Sequence, residues 1–456
     1  MTKGIVVAGL AGGSGKSVAS VGLASLWRRR GKTVAPFKKG PDYIDAGWLQ
    51  RAADAPCYNL DPYLMSAEQI TDSFASHAAG ADIVLVEGNR GLFDGVTAQA
   101  GYSTADLALM LDLPVLLVVN CTKTTRTVAA MVLGCQQFAP ELTIAGVILN
   151  QVATSRQHSI IVEAVTETTG IQVVGAIPRL PVDIFPMRHL GMIPTQEYPE
   201  LDKALTVLAD TVERGVDLDS VEKHASELNL VKKISAPAAQ EVRKDVRLGV
   251  IQDSAFQFYY PDNLEALARA GANLVFIDAL ADRELPPLDG LYIGGGFPET
   301  SAAVLAENSS FRDSVRRAAM AGLPIYAECG GLIYLGESID YDGTNYPLAG
   351  VFPVRFGLSK KPQAHGYSQF VVERKNPFYP VGSRVKGHEF RYSTTTCNDN
   401  AHIEFAVKME RGTGFINGVD GLTIHNVLAL YTHVHAVATP EWAPLVVKRC
   451  RLSLNE

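Results

Sequence analysis

The chain has 456 residues, 47% of them hydrophobic and 20% charged, which gives material for two or three packed domains and excludes an intrinsically disordered chain. A formal charge of −7 without a Lys/Arg-rich block argues against a nucleic-acid partner, and an anionic substrate must be drawn in by local cations. No apolar run approaches the ~18–20 residues of a membrane span, and the N-terminal apolar stretch is broken at once by glycines, so neither a membrane partner nor a signal peptide is expected.

Short apolar runs alternate with helical patterns along the first half. Residues 4–9 read as a buried strand and 16–30 as an amphipathic helix closed by Gly31. Further strands are expected at 33–37, 83–87, 115–120, 144–150 and 173–177, a βα alternation that implies a parallel sheet covered by helices. The pattern dissolves over 213–244, around Ala236-Pro237-Ala238-Ala239, and resumes with strands at 246–251, 274–277, 290–293 and 323–327. The expected organisation is therefore an α/β domain over 1–235, ending in a linker, and a second α/β domain over 246–456. The six cysteines (Cys57, Cys121, Cys135, Cys329, Cys397, Cys450) show no paired spacing, which predicts reduced thiols in a cytoplasmic protein.

The first strand leads into Ala8-Gly9-Leu10-Ala11-Gly12-Gly13-Ser14-Gly15-Lys16-Ser17. Glycines such as Gly12, Gly13 and Gly15 let successive backbone N–H groups face one concavity, and the following helix N-terminus favours phosphate. Lys16 would reach the terminal phosphates and the Ser17 hydroxyl would ligate Mg²⁺. Five residues, not four, separate Gly9 from Gly15, a departure from the common spacing. The run Ile83-Val84-Leu85-Val86-Glu87 ends in a carboxylate at the strand edge where open α/β sheets bind ligands, so Glu87 is a second candidate for Mg²⁺. Asp94, in Gly91-Leu92-Phe93-Asp94-Gly95, returns to the same edge. Pro36-Phe37-Lys38-Lys39-Gly40-Pro41-Asp42-Tyr43-Ile44-Asp45 displays two lysines and two aspartates after the second strand, or is merely a solvated loop. Asn150 ends another strand and is a candidate for purine contact.

In the second half Cys329 ends an apolar segment and precedes Gly330-Gly331. A cysteine at a strand-to-helix turn gains nucleophilicity from the helix N-terminus, and the glycines let backbone N–H groups approach an oxyanion. Gly330 is one expected donor, and the turn Gly294-Gly295-Gly296 offers Gly295 as the other. A general base is needed; His425, His433 and His435 are candidates that spacing does not separate. A nucleotide site in one half and a thiol site in the other point to ATP-driven amidation of a carboxylate, with ammonia taken from an amide.

In combination these motifs resemble the cobyrinic acid a,c-diamide synthase family over nearly the whole chain. They are the long-spaced phosphate loop, Gly40-Pro41-Asp42-Tyr43-Ile44-Asp45, Val86-Glu87-Gly88, Gly91-Leu92-Phe93-Asp94-Gly95, Gly294-Gly295-Gly296-Phe297-Pro298-Glu299, Glu328-Cys329-Gly330-Gly331, Gly387-His388-Glu389-Phe390 and Tyr431-Thr432-His433-Val434-His435. The resemblance implies an N-terminal synthetase domain like dethiobiotin synthetase and a C-terminal class I, triad-type glutamine amidotransferase domain of flavodoxin-like fold. It implies ATP and Mg²⁺ as cofactors, L-glutamine as nitrogen donor and a polycarboxylate tetrapyrrole as acceptor, amidated on its a and c acetates through an acyl phosphate in cobalamin biosynthesis; a homodimer is compatible with it. Residue by residue, Lys16 and Ser17 would hold phosphates and metal, Glu87 and Asp42 the metal, and Asp42, Tyr43, Ile44, Asp45 and Asp94 the acceptor. Cys329 would be the glutaminase nucleophile and His433 its base. The wider class places a glutamate two residues after that histidine; His435 stands there, so a Cys–His pair without an acidic third member is expected. Enclosed delivery of ammonia between the two domains is expected as well.

Departures from the family pattern fall at Leu49, at Asn89-Arg90 and at Arg391, and make Arg90 and Arg391 candidates for pairing with carboxylates that are not amidated. The same scaffold serves siroheme and nickel-sirohydrochlorin amidation, which the motifs do not distinguish. A reading from another class, a P-loop nucleotide-switch ATPase, would want a lysine at Ala11 and no Cys329.

Overall fold

The structure, a computed structural model, describes residues 1–180, 187–188, 191–229, 244–397 and 403–453. The expected boundary at 236–239 lies outside them. The chain divides into two compact units, Met1–Ala236 and Pro237–Glu456.

In the first unit the six expected strands and a short one that was not expected, Tyr58–Leu60, form one sheet: β1 (Lys3–Gly9), β2 (Val34–Lys39), β3 (Tyr58–Leu60), β4 (Ile83–Gly91), β5 (Val115–Asn120), β6 (Ile144–Val152) and β7 (Val173–Pro178). Their order is β3-β2-β4-β1-β5-β6-β7, all parallel, with the short strand Ser226–Glu227 antiparallel against the start of β1. β1 is buried on both faces, which is why it reads as a continuous apolar run rather than an alternation. Helix α1 (Lys16–Arg29) packs Leu23, Leu26 and Trp27 into the core. It ends where the Gly31 amide bonds the Arg28 carbonyl and the Lys32 amide bonds that of Trp27, with Gly31 at φ 78, as Gly31 led one to expect. Helix α2 (Ile44–Ala53) follows β2 directly. The consequence for function is that the C-terminal ends of β1, β2 and β4 lie side by side, with Gly9 level with Gly91 and Lys38 level with Glu87.

The second unit contains more antiparallel structure than its sequence pattern suggests. Its main sheet runs in the order Ala272–Ile277, Val246–Ile251, Gly290–Ile293, Ile325–Glu328, Val427–Leu430, Val419–Ile424, Glu404–Arg411, Ala364–Val372, Arg384–Arg391, His433–Val434. The first five are parallel and every later pairing is antiparallel. Val427–Leu430 and His433–Val434 are separated by five steps in this order, yet Leu430 and His433 are three residues apart in the chain, a reach of at most ~11 Å. The antiparallel half must therefore curl back on itself. That curl carries His433 to the end of the parallel strands, where Cys329 sits.

Candidate active sites

In the first unit the loop after β1 has the backbone its sequence demands. Gly13 and Gly15 stand at φ 75 and 96, in the left-handed region where a side chain is strained. An added Cβ on Gly12 or Gly13 would meet nothing within 4 Å, so the concave side is open to a ligand. Lys16 opens α1 and is buried, and Ser17 Oγ donates to Glu87 Oε1 at 2.9 Å. Asn150 is buried against the loop, with its Nδ2 donating to the Ser14 carbonyl at 2.9 Å. That bond braces the phosphate loop.

The segment that could have been a solvated loop is not one. Lys38 and Lys39 are both buried. Lys38 Nζ donates to Asp45 Oδ2 at 2.6 Å, Glu87 Oε1 at 2.7 Å and the Gly88 carbonyl at 3.1 Å. Burial would depress its basicity, but Asp45, Glu87 and Asp42 outweigh this and hold it charged, well above the ordinary lysine range. Asp45 in turn is raised by burial but brought below the usual carboxylate range by Lys38 and then Lys16. Asp42 Oδ1 caps the first turn of α2 by accepting from the Asp45 amide, and burial together with the Asp45 charge pushes Asp42 up to about 6. Tyr43 stands just before the first residue of the same helix, and Ile44 packs against the core beneath it. Asp94 Oδ2 accepts from the Gly91 amide at 2.8 Å, which folds the loop after β4 back toward Leu10, and Arg90 is exposed with φ 53.

Two buried oxygens here, Ser14 Oγ and Glu87 Oε2, have no hydrogen-bond partner among the described residues. Buried polar atoms are ordinarily satisfied, so both call for a partner from outside the chain. Among the described residues no group of three His, Cys, Asp or Glu is arranged to hold a metal by itself. Mg²⁺ does not require one, since it is held by one or two protein oxygens, waters and the nucleotide. Ser17, Glu87 and the open glycine cradle fit that donor set.

In the second unit Cys329 follows a strand buried along its full length, Ile325–Glu328, and takes φ 46, ψ −96, a conformation disfavoured for a residue with a Cβ. Its amide is fixed to the Leu430 carbonyl at 2.7 Å. The helix behind it, Gly330–Tyr334, is only five residues long, so the neighbour of full charge that faces the sulfur is His433 rather than a long helix dipole. Burial alone would lower the His433 imidazole. The Cys329 sulfur, bonded to it, and then Glu328 raise it instead to about 9. The two glycine turns meet at this point. The Gly331 amide bonds the Gly294 carbonyl at 3.0 Å, a Cβ on Gly330 would stand 2.9 Å from the Gly296 nitrogen, and a Cβ on Gly295 would strike the His433 ring.

The three histidines left open by the sequence separate cleanly. His425 is exposed in the turn before Val427–Leu430, level with the start of the cysteine's strand and roughly 13 Å from its end. His435 Nδ1 accepts from the Val437 amide, which assigns its proton to Nε2, 3.5 Å from Asp262 Oδ2. Only His433 faces Cys329. His388, unread as a site residue, stacks on His433 with centroids 4.8 Å apart; burial and the neighbouring imidazoles of His433 and His435 keep it neutral.

Two expectations are corrected. The Cys–His pair does have a carboxylate beside it: Glu328 Oε2 lies 3.7 Å from His433 Nδ1. The sequence signal was an acid ending an apolar strand, the same signal that singled out Glu87. Arg391 is no candidate for a substrate carboxylate, because it is buried, donates to the Ser393 and Gly414 carbonyls at 2.6 and 2.7 Å, and lies 3.9 Å over the Tyr431 ring.

Comparison with known proteins matches both units. The profile of a CobB/CobQ-like glutamine amidotransferase domain covers residues 247–440, and that of an AAA domain covers 3–183. The chain is similar to cobyrinate a,c-diamide synthase of Magnetococcus marinus, 40% identical over 95% of this chain and 94% of the relative. It is 37% identical to that of Archaeoglobus fulgidus, over 98% and 97% of the two chains, and 38% identical to that of Syntrophotalea carbinolica, over 98% of each. A solved glutamine amidotransferase is 20% identical over 45% of this chain and 98% of its own, with a TM-score of 0.32.

Proposed function

Because the chain belongs to the cobyrinate a,c-diamide synthase family and is thereby a glutamine-dependent amide ligase, we propose that it amidates the a and c acetate carboxylates of cobyrinic acid with ATP and glutamine. The observation that carries this reading is the coupling of Cys329 to His433 beside two glycine turns, in a chain whose other unit holds a phosphate loop.

The two half-reactions follow from chemical need. A carboxylate resists amines because its leaving group would be oxide, so phosphoryl transfer must first make an acyl phosphate. Lys16 and the loop amides would hold the phosphates, while Ser17 and Glu87 would hold Mg²⁺. An Mg²⁺ ion held by Ser17 and Glu87 would supply charge neutralisation at the phosphoryl oxygens. Lys38 bonds both Asp45 and Glu87 at the same edge and fixes where their carboxylates stand. Asp42, Asp45 and Asp94 line that edge, and Arg90 is the exposed cation beside it for an acceptor carboxylate.

At the second site the Cys329 thiolate would attack the glutamine amide carbon, and the Gly295 and Gly330 amides would receive the oxyanion. His433 would give its proton to the departing nitrogen, releasing ammonia and leaving a thioester. Water would then attack the thioester, return a proton to His433 and release glutamate. Ammonia must reach the acyl phosphate unprotonated, since ammonium has no lone pair.

The relatives' names favour a corrin over siroheme or nickel-sirohydrochlorin. The amidotransferase match over 247–440 sets aside the nucleotide-switch ATPase. The testing experiment measures glutamate released from glutamine by the purified chain with ATP, Mg²⁺ and acceptor present. Release that vanishes in Cys329→Ala supports the reading, and no release from the parent chain defeats it.

A further inference from the structure

The wider class of such glutaminases would place an acid at position 435, and this chain has a histidine there that faces Asp262 instead. The charge is nevertheless present, from another direction. Glu328 closes the strand Ile325–Glu328, whose four residues are all buried, and is itself fully buried. Burying a carboxylate is costly unless it is bonded, and this one accepts two hydrogen bonds and faces an imidazole. Oε2 accepts from Tyr292 Oη at 3.2 Å, Oε1 accepts from the Val434 amide at 3.2 Å, and Oε2 lies 3.7 Å from His433 Nδ1. The side chain thus bonds the backbone just after His433 and turns its other oxygen toward the His433 ring. Since Glu328 is peptide-bonded to Cys329, the element that places the sulfur also places the acid.

We propose that Glu328 is the positioning residue of this site, holding His433 with Nδ1 protonated toward its carboxylate and Nε2 turned to the Cys329 sulfur. The proposal rests on the reading of Cys329 and His433 as nucleophile and base. The other groups around His433 do not supply this charge. His388 stacks on its face and is neutral, Tyr260 lies beyond His388, and Asp262 is directed at His435. In the usual arrangement the acid follows the base along the chain; here it precedes the nucleophile. The consequence is that Glu328 supports the imidazolium that forms beside the thiolate, without touching glutamine.

The test uses the full chain and Glu328→Gln, which keeps the size and an acceptor oxygen but removes the charge. Three quantities are measured: glutamine-supported amidation, ammonia-supported amidation, and the pH dependence of Cys329 alkylation by iodoacetamide, located by peptide mass. The expected result is a fall of about 10²-fold in glutamine-supported kcat with KM for glutamine little changed. Ammonia-supported turnover continues, and the Cys329 alkylation profile moves to higher pH. Loss of glutamine-supported activity with an unmoved alkylation profile would show a packing role only and overturn the proposal, as would full retention of that activity. If Glu328→Gln also fails to support ammonia-driven turnover through misfolding, Glu328→Asp decides: it keeps the charge, so measurable glutamine-supported activity is expected, and its absence in a folded protein overturns the proposal. Glutaminase activity retained in Cys329→Ala would instead strike at the underlying reading of the nucleophile.

Discussion

Lys38 Nζ stands 2.7 Å from Glu87 Oε1, both side chains wholly removed from solvent, and the same oxygen also accepts from Ser17 Oγ. One buried ammonium thus ties the end of β2 to the end of β4 and fixes the carboxylate that faces the phosphate loop. Asp45, on the first turn of α2, completes the bridge at 2.6 Å.

Lys38→Met should therefore damage the first site whatever the nitrogen source. It leaves the buried Glu87 and the partly buried Asp45 beside it without their cation, and the broken buried Lys38–Glu87 pair costs about 3–5 kcal/mol. Denaturant unfolding should show that loss, and amidation should fall with both glutamine and ammonium. Parent-like ammonia-supported turnover would show that Lys38 serves the fold alone.

Cys329→Ala should abolish glutamine-supported amidation and spare turnover with high ammonium at alkaline pH, because only the nitrogen source is lost. Lys16→Ala should abolish both. Steady-state rates with the two donors separate these outcomes, and loss of both activities in Cys329→Ala would contradict a division of labour between the two sites.

His433→Ala should resemble the cysteine variant, with glutaminase reduced by about 10²–10⁴-fold, the usual contribution of a general base. His435→Ala should keep substantial glutaminase activity, since its ring faces Asp262 and not the sulfur. Its cost should appear in thermal unfolding instead. Equal loss of glutaminase at the two positions would mean that His435 takes part in the chemistry.

The two half-reactions should titrate at opposite ends of the pH range. His433 is raised to about 9, so its imidazolium is present below that pH and lost as pH rises through it. Glutaminase kcat/KM should fall above about 9, just where ammonia-supported amidation gains from free ammonia. Asp42 is raised to about 6, so its carboxylate forms as pH rises through that value and is lost below it. At a fixed concentration of free ammonia, synthetase activity should decline as pH drops below about 6, with a rise in the Mg²⁺ needed for half-maximal rate. Asp42→Asn should remove that acid limb.

The parallel sheets were legible because strands buried on both faces read as continuous apolar runs. Residues 115–120, 246–251 and 290–293 match β5, Val246–Ile251 and Gly290–Ile293 at both ends. The antiparallel strands between 364 and 424 were not, because their half-exposed faces mix Lys, Arg and Glu with apolar residues, as in Glu404–Arg411. The phosphate loop and Cys329 announce themselves through glycines, a local signal. Lys38 did not, since nothing in Phe37-Lys38-Lys39 says that both lysines are buried; for Lys38 that depends on β4 and α2 closing over it. The partnership of Glu328 with His433 joins residues 105 positions apart and depends on the curl of the second sheet, which no local spacing encodes.

The most direct measurement offers cobyrinic acid, siroheme and nickel-sirohydrochlorin separately to the purified chain with ATP, Mg²⁺ and glutamine, and follows each ring by mass spectrometry alongside ADP and glutamate. The account predicts that cobyrinic acid loses the mass difference between OH and NH₂ twice, with one ADP and one glutamate formed per amide. Amidation of siroheme or nickel-sirohydrochlorin in its place would contradict the assignment of substrate, and the absence of amidation on all three rings would contradict the account itself.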